Sequence, residues 1–590
     1  MYTLGINAAY HDSSACLVQD GHLLAAAEEE RFTRIKHAKR PIPFSAYELP
    51  HHAIDFCLQQ AGITLAELDH VAYAYDPYQL LRGREQTGVA LSFTPSAQPP
   101  PGWDSPWEPL FVSYVLNAPR FLTDNVPHHL RKRFAKLDPM PYRWHYVDHH
   151  LAHEASAFLP SPFTEAAVLT MDGRGEGATT SYAVGRGNRL ERIAQVDLPH
   201  SLGLLYEDVT RYLGFLHSSD EYKVMALASF GTPRFLVQFQ EFLQLDTDGR
   251  YRVRSSALKD HFGPARPAGE PFAQRHFDIA ASLQKALEQT VLGMVRWLHA
   301  KTGLDNLCMA GGVALNCVMN GLIERDGPFR RVWVQPAAGD AGTAIGAALH
   351  IDAVERVSDR RHYVMDHAFL GPRYSETSIE EFLRWSKVPY QRLSSYDEVA
   401  ELLAQDCIVG WFQGPMEFGP RALGGRSILA SPISSTMQAR LNEIKDREDF
   451  RPVAPVVLEE EAGNWFSGCT VSPFMLFVYD VPPDKRARIP AVTHVDGSAR
   501  VQTIRRAQHP AYYDLLKAFH ARTGVPILVN TSFNTRGEPI VCTPRDAIEC
   551  FVTSPLDALV IGPFLVRKSE ILHEHSRLGH RSDVQTPALA

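Results

Sequence analysis

Ala166-Ala167-Val168-Leu169-Thr170-Met171 is an apolar run that breaks into Asp172-Gly173-Arg174-Gly175-Glu176-Gly177. Such a run ending in a glycine-rich polar turn reads as a strand and its exit loop. Thr179 to Val184, a glycine-containing turn, and Arg189 to Gln195 complete a hairpin. The same grammar opens the chain. Thr3-Leu4-Gly5-Ile6 leads to the polar Tyr10-His11-Asp12-Ser13-Ser14, then Ala15 to Gln19, an Asp20-Gly21 turn and His22 to Ala27. Asp-Gly between two apolar runs is a hairpin signal. Two strand–polar turn–hairpin units about 160 residues apart suggest an internal duplication. In such a pair the turns commonly face a cleft where backbone N–H groups can hold phosphate. Two unrelated hairpins are the alternative.

Ile279, Leu283, Leu287, Val291, Met294 and Leu298 predict a helix over 277–301, closed by Gly303. A strand at 307–309 precedes the turn Ala310-Gly311-Gly312-Val313-Ala314-Leu315-Asn316. Another strand, 332–334, precedes Gly339-Asp340-Ala341-Gly342, which opens an Ala-rich helix. Alternating strands and helices imply an α/β architecture. The expected organisation is a first domain over 1–355, a charged linker over 356–373, a second α/β domain over 374–566 and a polar tail over 567–590. The stretch 76–133 reads as an irregular insertion, rich in proline and aromatic residues. A loop of that length inside a domain is more often functional than accidental. Its Trp103, Trp107, Phe111, Val112, Tyr114, Leu116 and Phe121 suggest a surface for a largely apolar acceptor.

With 590 residues the chain exceeds a single ordinary core. Its 59 Lys+Arg against 67 Asp+Glu leave a net charge of −8, which argues against nucleic acid or a membrane surface as the main partner. No apolar run is long enough to span a bilayer. The start, MYTLGINAAYH, lacks the basic and apolar regions of a signal peptide. None of the eight cysteines forms a CxxC pair, which disfavours zinc ribbons and thioredoxin-type sites and fits a reducing cytoplasm.

Three constellations could carry chemistry. His149 and His153 in Asp148-His149-His150-Leu151-Ala152-His153 would share one helix face and suit a metal, with Asp340 as a plausible third donor. A polar helix start capped by Asp148 is the bland alternative. The glycine turns around Asp172 and Gly173, and around Gly311, Gly312 and Asn316, could let a nucleotide approach the backbone, or simply make tight turns. In the second domain, Glu417-Phe418-Gly419-Pro420-Arg421-Ala422-Leu423-Gly424 and Lys445-Asp446-Arg447-Glu448-Asp449-Phe450-Arg451-Pro452 cluster cations, followed by Arg500 and Asn530-Thr531-Ser532. Phosphate binding and structural ion pairing both explain them. His11, beside Asp12 at a strand end, is the best general-base candidate; a hydrogen-bonded structural histidine is the alternative.

These motifs together resemble the NodU/CmcH-type O-carbamoyltransferases, whose members carbamoylate nodulation factors, cephems, ansamycins and tobramycin. The resemblance runs from Thr3 to about Arg567. It includes Glu28-Glu29-Glu30-Arg31-Phe32, His149-His150-Leu151-Ala152-His153 and Asn530-Thr531-Ser532-Phe533-Asn534. Ser218-Ser219-Asp220-Glu221-Tyr222-Lys223 looks like the antibiotic-tailoring branch, although Tyr222 departs from the pattern of other branches. The resemblance implies an ASKHA (actin/sugar-kinase-like) duplicated N-terminal domain and a YrdC-like C-terminal domain. It implies that carbamoyl phosphate and ATP, with Mg2+, give carbamoyl-adenylate at Arg421, Lys445, Arg447, Arg451, Arg500, Asn530 and Ser532. The first domain would bind that adenylate at Asp172, Gly173, Gly311, Gly312 and Asn316, beside Fe2+ or another divalent metal on His149, His153 and Asp340. His11 would serve transfer to a small-molecule alcohol, with Asp12 and Lys36 touching the acceptor. Hydrogenase-maturation-like transfer, tRNA-threonylcarbamoylation-like transfer and a non-catalytic nucleotide-binding scaffold are the competing readings. A homodimer is the default oligomer.

Overall fold

The two related sequence units fold into two five-stranded sheets of one strand order. The computed structural model describes residues 1–38, 49–81, 108–124, 141–254, 258–356 and 361–571. The first sheet holds β1 (Tyr2–Asn7), β2 (Ser14–Gln19), β3 (His22–Glu28), β4 (His70–Tyr73) and β5 (Arg143–Tyr146), in the order β3-β2-β1-β4-β5. The second holds β6 (Glu165–Met171), β7 (Ala178–Arg186) and β8 (Arg189–Asp197). A small separate hairpin is β9 (Leu243–Leu245) with β10 (Tyr251–Val253); β11 (Asn306–Ala310) and β12 (Arg331–Val334) then complete the second sheet as β8-β7-β6-β11-β12. In each sheet the first three strands are antiparallel and the last two add in parallel. This repeated topology is the duplication, and the chain is α/β. The Asp20-Gly21 turn takes φ 49° and 81°, the left-handed pair that a tight hairpin requires.

The chain divides into two compact units. One is Met1–Leu370 with Phe418–Pro420 and Leu476–Val478; the other is Gly371–Glu417, Arg421–Met475 and Tyr479–Ala590. In the first, the helix His149–Phe158 packs on the helix Ala341–Glu355. Residues 341–349 of the latter are all buried, which is why it is apolar all round. Its approach is close. A Cβ on Gly346 would lie 1.8 Å from the Ala152 carbonyl oxygen, and one on Gly5 would lie 2.1 Å from that of Ala344. Gly346→Val is therefore expected to destabilise the unit by on the order of 3 kcal/mol, read as a lowered urea midpoint; an unchanged midpoint would contradict this packing.

The helix expected over 277–301 runs from Gln274 to Thr302, and Gly303 (φ 66°) caps it by donating to His299 O at 2.8 Å. Part of the charged stretch read as linker is folded down. Arg361 donates to the carbonyls of Phe158 (2.8 Å) and Phe163 and covers the Phe158 ring at 4.9 Å. The insertion read as irregular contains the helices Pro77–Leu81 and Glu108–Asp124. Phe111, Val112, Val115, Ala118 and Leu122 are buried in the core of the first sheet, because helical spacing gathers them on one face. Phe111 and Val112 thus pack the insertion onto its domain rather than offering an open acceptor surface. Trp103, Trp107 and the tail beyond 571 lie outside the described residues.

The second unit is built on a mixed eight-stranded sheet. Its spatial order is Gln391–Arg392, Phe564–Arg567, Ala558–Ile561, Val409–Phe412, Arg426–Ala430, Ile527–Ser532, Ala454–Leu458 and Gln502–Ile504. The helices Asp397–Ala404 and Pro510–Thr523 pack together, and Trp411 and Tyr512 are fully buried.

Candidate active site

Asp148 caps the His149 helix by accepting the Leu151 N–H at 2.7 Å. One turn then places His149 and His153 side by side, ring centroids 4.7 Å apart. Asp172 leaves the end of β6 and Asp340 precedes the helix Ala341–Glu355, and both carboxylates meet these rings. His149 Nε2 lies 3.5 Å from Asp172 Oδ2 and 3.6 Å from Asp340 Oδ1; the His153 Nε2 distances are 3.7 and 3.8 Å. All four side chains are buried, yet His149 Nε2, His153 Nε2 and both Asp340 oxygens have no hydrogen-bond partner among the described residues. His149 Nδ1 donates to the Ala74 carbonyl (3.3 Å), which leaves the Nε2 lone pair aimed at the cluster. Four donors bonded tetrahedrally to a divalent metal at ~2.1 Å would lie about 3.4 Å apart, so the group fits one ion. Burial opposes charge on these groups. Pairing outweighs it, raising the His149 pKa and holding Asp172 well below the usual carboxylate range. His150 turns away and bonds Thr170 Oγ1 at 2.7 Å; burial, then His153 and His149, press its pKa down to about 3.

The sequence places Asp172 with the nucleotide turn; the structure puts its Oδ2 among the potential metal donors, while Oδ1 accepts the Gly312 N–H at 2.7 Å. Gly311 (φ 91°) is required there, since a Cβ would fall 2.1 Å from Met171 O. Gly173 faces open space. Asn316 is occupied structurally: Oδ1 caps the next helix at Met319 N (3.0 Å), and Nδ2 donates to Gln284 (2.8 Å).

His11 and Asp12 sit in the turn after β1. Asn7 Nδ2 donates to both of their carbonyls, and Tyr10 and Asp12 take positive φ (54° and 52°). His11 Nδ1 contacts Asp12 Oδ2 at 2.8 Å, and His11 Nε2 approaches Asp340 Oδ2 at 3.8 Å. The other Asp12 oxygen holds His37 Nδ1 at 2.8 Å, and His37 Nε2 reaches Ser219 Oγ at 3.1 Å. Burial works against the Asp12 charge, but His37 and His11 keep its pKa well below the usual value. Asp12 thus orients His11. Lys36 is half-buried in the short turn next to His37. His37 and Ser219 were not among the sequence candidates. Tyr10 bridges the insertion to this site, stacking on Phe111 (5.9 Å) and meeting His149 edge-on (5.3 Å).

In the second unit, Glu417 Oε1 accepts the N–H groups of Leu423, Gly425 and Arg426, which shapes the glycine loop carrying Arg421. The buried Arg426 donates to the carbonyls of Gln413, Gly414 and Pro372 and lies over Phe412 at 3.6 Å. Lys445 Nζ donates to Ser532 O (2.5 Å), Ser532 Oγ (3.1 Å) and Asn534 Oδ1 (2.7 Å). Asn442, fully buried and absent from the sequence candidates, braces the cationic loop. Its Oδ1 accepts Arg447 Nε at 2.6 Å, and its Nδ2 donates to the carbonyls of Asp449 and Arg451 at 3.1 Å. Asn530 Nδ2 donates to Gln502 Oε1 (2.6 Å) and Ala422 O (3.1 Å), tying its strand to the Arg421 loop. Lys445, Ser532, Asn530, Arg447 and Arg451 therefore belong to one connected set of loops; Arg500 is half-buried at the end of strand Ser498–Arg500.

The family model described as "Carbamoyltransferase N-terminus" matches residues 2–89 and 129–349, and "Carbamoyltransferase C-terminus" matches 400–568. The interval 90–128, which includes Phe111, falls outside the match. The chain is 42% identical to the uncharacterized protein sll1178 of Synechocystis sp., over 96% of this chain and 97% of the relative. It is 40% identical to nodulation protein NolNO of Sinorhizobium fredii, over 95% and 80% of the two chains. It is 34% identical to 3'-hydroxymethylcephem-O-carbamoyltransferase of Amycolatopsis lactamdurans, over 60% and 66%.

Proposed function

The chain belongs to the carbamoyltransferase family and is an enzyme of carbamoyl transfer, and from that premise we propose an ATP-dependent O-carbamoyltransferase acting in two steps at two sites. In the second unit, water releases phosphate from carbamoyl phosphate to leave carbamate, and a carbamate oxygen attacks the α-phosphorus of ATP (with Mg2+), displacing pyrophosphate and giving carbamoyl-adenylate. Arg421, Arg447, Arg451 and Arg500 offset the repulsion between the anionic reactants. Lys445 and Asn530 hold the loops of Ser532 and Arg421 in place.

In the first unit, an alcohol oxygen attacks the carbamoyl carbon, the bond to the AMP phosphate oxygen breaks, and AMP leaves. His11 Nε2 takes the hydroxyl proton as the new C–O bond forms. Asp12 keeps the Nδ1 proton in place and stabilises the imidazolium, and His37 with Ser219 fixes Asp12. Gly173 leaves room for the adenylate, with the Gly311–Gly312 turn held beside it by Asp172. A divalent metal, Fe2+ by resemblance, would be held by His149, His153, Asp172 and Asp340 and would supply Lewis acidity. The observation that carries this reading is the His11–Asp12–His37 chain, with His11 Nε2 3.8 Å from an Asp340 oxygen of the four-donor group.

The acceptor is a small molecule with a hydroxyl group, as the cephem relative's name states for that protein. Antibiotic or other secondary-metabolite tailoring is the setting proposed. Eight cysteines with no CxxC pair among them accord with a cytoplasmic location, and among the described residues no helix is long and apolar enough to cross a membrane. The test is transfer of label from carbamoyl phosphate to an alcohol in a panel that includes 3'-hydroxymethylcephems. Label in a carbamate ester, dependent on ATP, is expected; ester formation without ATP would refute the two-step scheme.

A further inference from the structure

A second group of donors lies elsewhere in the first unit, and we propose that His70, His145 and Glu355 form a further divalent-metal site suited to Zn2+. One nitrogen from each imidazole and a carboxylate oxygen lie within 4.8 Å of one another. His70 Nδ1 and His145 Nε2 are 3.0 Å apart, and the ring centroids are 5.1 Å apart.

The fold sets up this meeting. His70 opens β4 and His145 lies on the adjoining parallel strand β5, opposite Ala72, so the two histidines share one sheet face two positions apart. β5 is the edge strand of that sheet. Glu355 is the last residue of the helix Ala341–Glu355. Unsatisfied carbonyls give a helix C-terminus partial negative charge, which favours a cation there. Two imidazoles and one carboxylate are a common zinc donor set. A 3.0 Å nitrogen–nitrogen contact also suits two neutral imidazoles sharing one proton; an ion replaces that proton and takes both lone pairs. Arg143 holds Glu355 Oε2 at 2.9 Å from an exposed position. It can keep one carboxylate oxygen and orient the other, as outer-shell donors do.

The consequence would be a cross-link between β4, β5 and the C-terminus of the helix that Asp340 precedes. The proposal does not rest on the carbamoyl-transfer reading. The test uses the full chain, stripped of metal by a chelator and titrated with Co2+ as a zinc probe. Uptake is followed by visible d–d absorption and calorimetry, with circular dichroism as the check on folding. Wild type is expected to take up two equivalents, and His70→Ala with His145→Ala one. His149→Ala with His153→Ala should also take up one, and the fourfold variant none. If the active-site group binds no metal, wild type takes up one equivalent, which His70→Ala with His145→Ala removes; that outcome still supports this site. Should the alanine variants misfold, His145→Gln is expected to lose the same equivalent. Uptake that His145→Gln leaves unchanged, or that the fourfold variant retains, would overturn the proposal. So would a natively folded His149→Ala/His153→Ala variant that binds no Co2+.

Discussion

His11→Asn is expected to lose carbamate ester formation by roughly 100- to 10,000-fold, the usual span of a positioned general base, while carbamoyl phosphate-dependent pyrophosphate release continues. The expectation follows from the placement of the ring. Asp12 holds Nδ1 at 2.8 Å and so directs Nε2 toward Asp340 Oδ2, 3.8 Å away, in the buried group that includes His149, His153 and Asp172. Asparagine keeps a polar side chain in the turn but cannot take up that proton. The loops of Lys445 and Arg451 lie in the other compact unit and are untouched by the change. The check is to measure pyrophosphate and ester from one reaction. Loss of both in a natively folded variant would contradict the division of labour. Asp12→Asn should weaken transfer through His11, with pyrophosphate release again retained, because an amide cannot stabilise the imidazolium.

Arg451→Ala is expected to lower adenylate formation roughly 100- to 1,000-fold, as removal of one preorganised charge-stabilising donor does. Ester formation should fall with it. Arg451 lies 3.7 Å from Glu448 Oε2 and keeps about a fifth of its side chain exposed. Its carbonyl accepts from Asn442 Nδ2 and Gln438 Nε2, both at 3.1 Å, so the backbone is held while the guanidinium stays partly accessible. Supplied carbamoyl-adenylate should restore ester formation in Arg451→Ala and not in His11→Asn. That crossed rescue separates a lost adenylation step from general damage to the fold. Failure of added adenylate to rescue a natively folded Arg451→Ala would place Arg451 outside the first step.

The repeated sheet order was legible because strand, polar turn and Asp-Gly hairpin leave local signals in the residues themselves. The His149–His153 pair was legible for the same reason, since a four-residue spacing fixes two side chains on one helix face. Asp340 could be named from its glycine turn. Asp172 was read as a nucleotide contact, because nothing local says that a β6 exit loop and a helix start 168 residues later meet at the same two imidazoles (340 − 172 = 168). His37 and Ser219 were out of reach. Their contact spans 182 residues and depends on a left-handed backbone at His37 (φ 60°). Asn442 gave no signal, since a buried brace looks in sequence like any polar residue of a helix. The insertion misled for a physical reason: proline-rich flanks and Pro119 obscured an amphipathic helix that buries Phe111 and Val112 and leaves Tyr114, Leu116 and Phe121 half-buried.

The most direct test of two-step transfer is the cleavage pattern of ATP, measured with carbamoyl phosphate present and absent and with an alcohol acceptor added. The account predicts AMP and pyrophosphate only when carbamoyl phosphate is present, with one pyrophosphate released for each carbamate ester formed. Release of ADP and phosphate as the stoichiometric products, or ester formed at full rate without ATP, would contradict it.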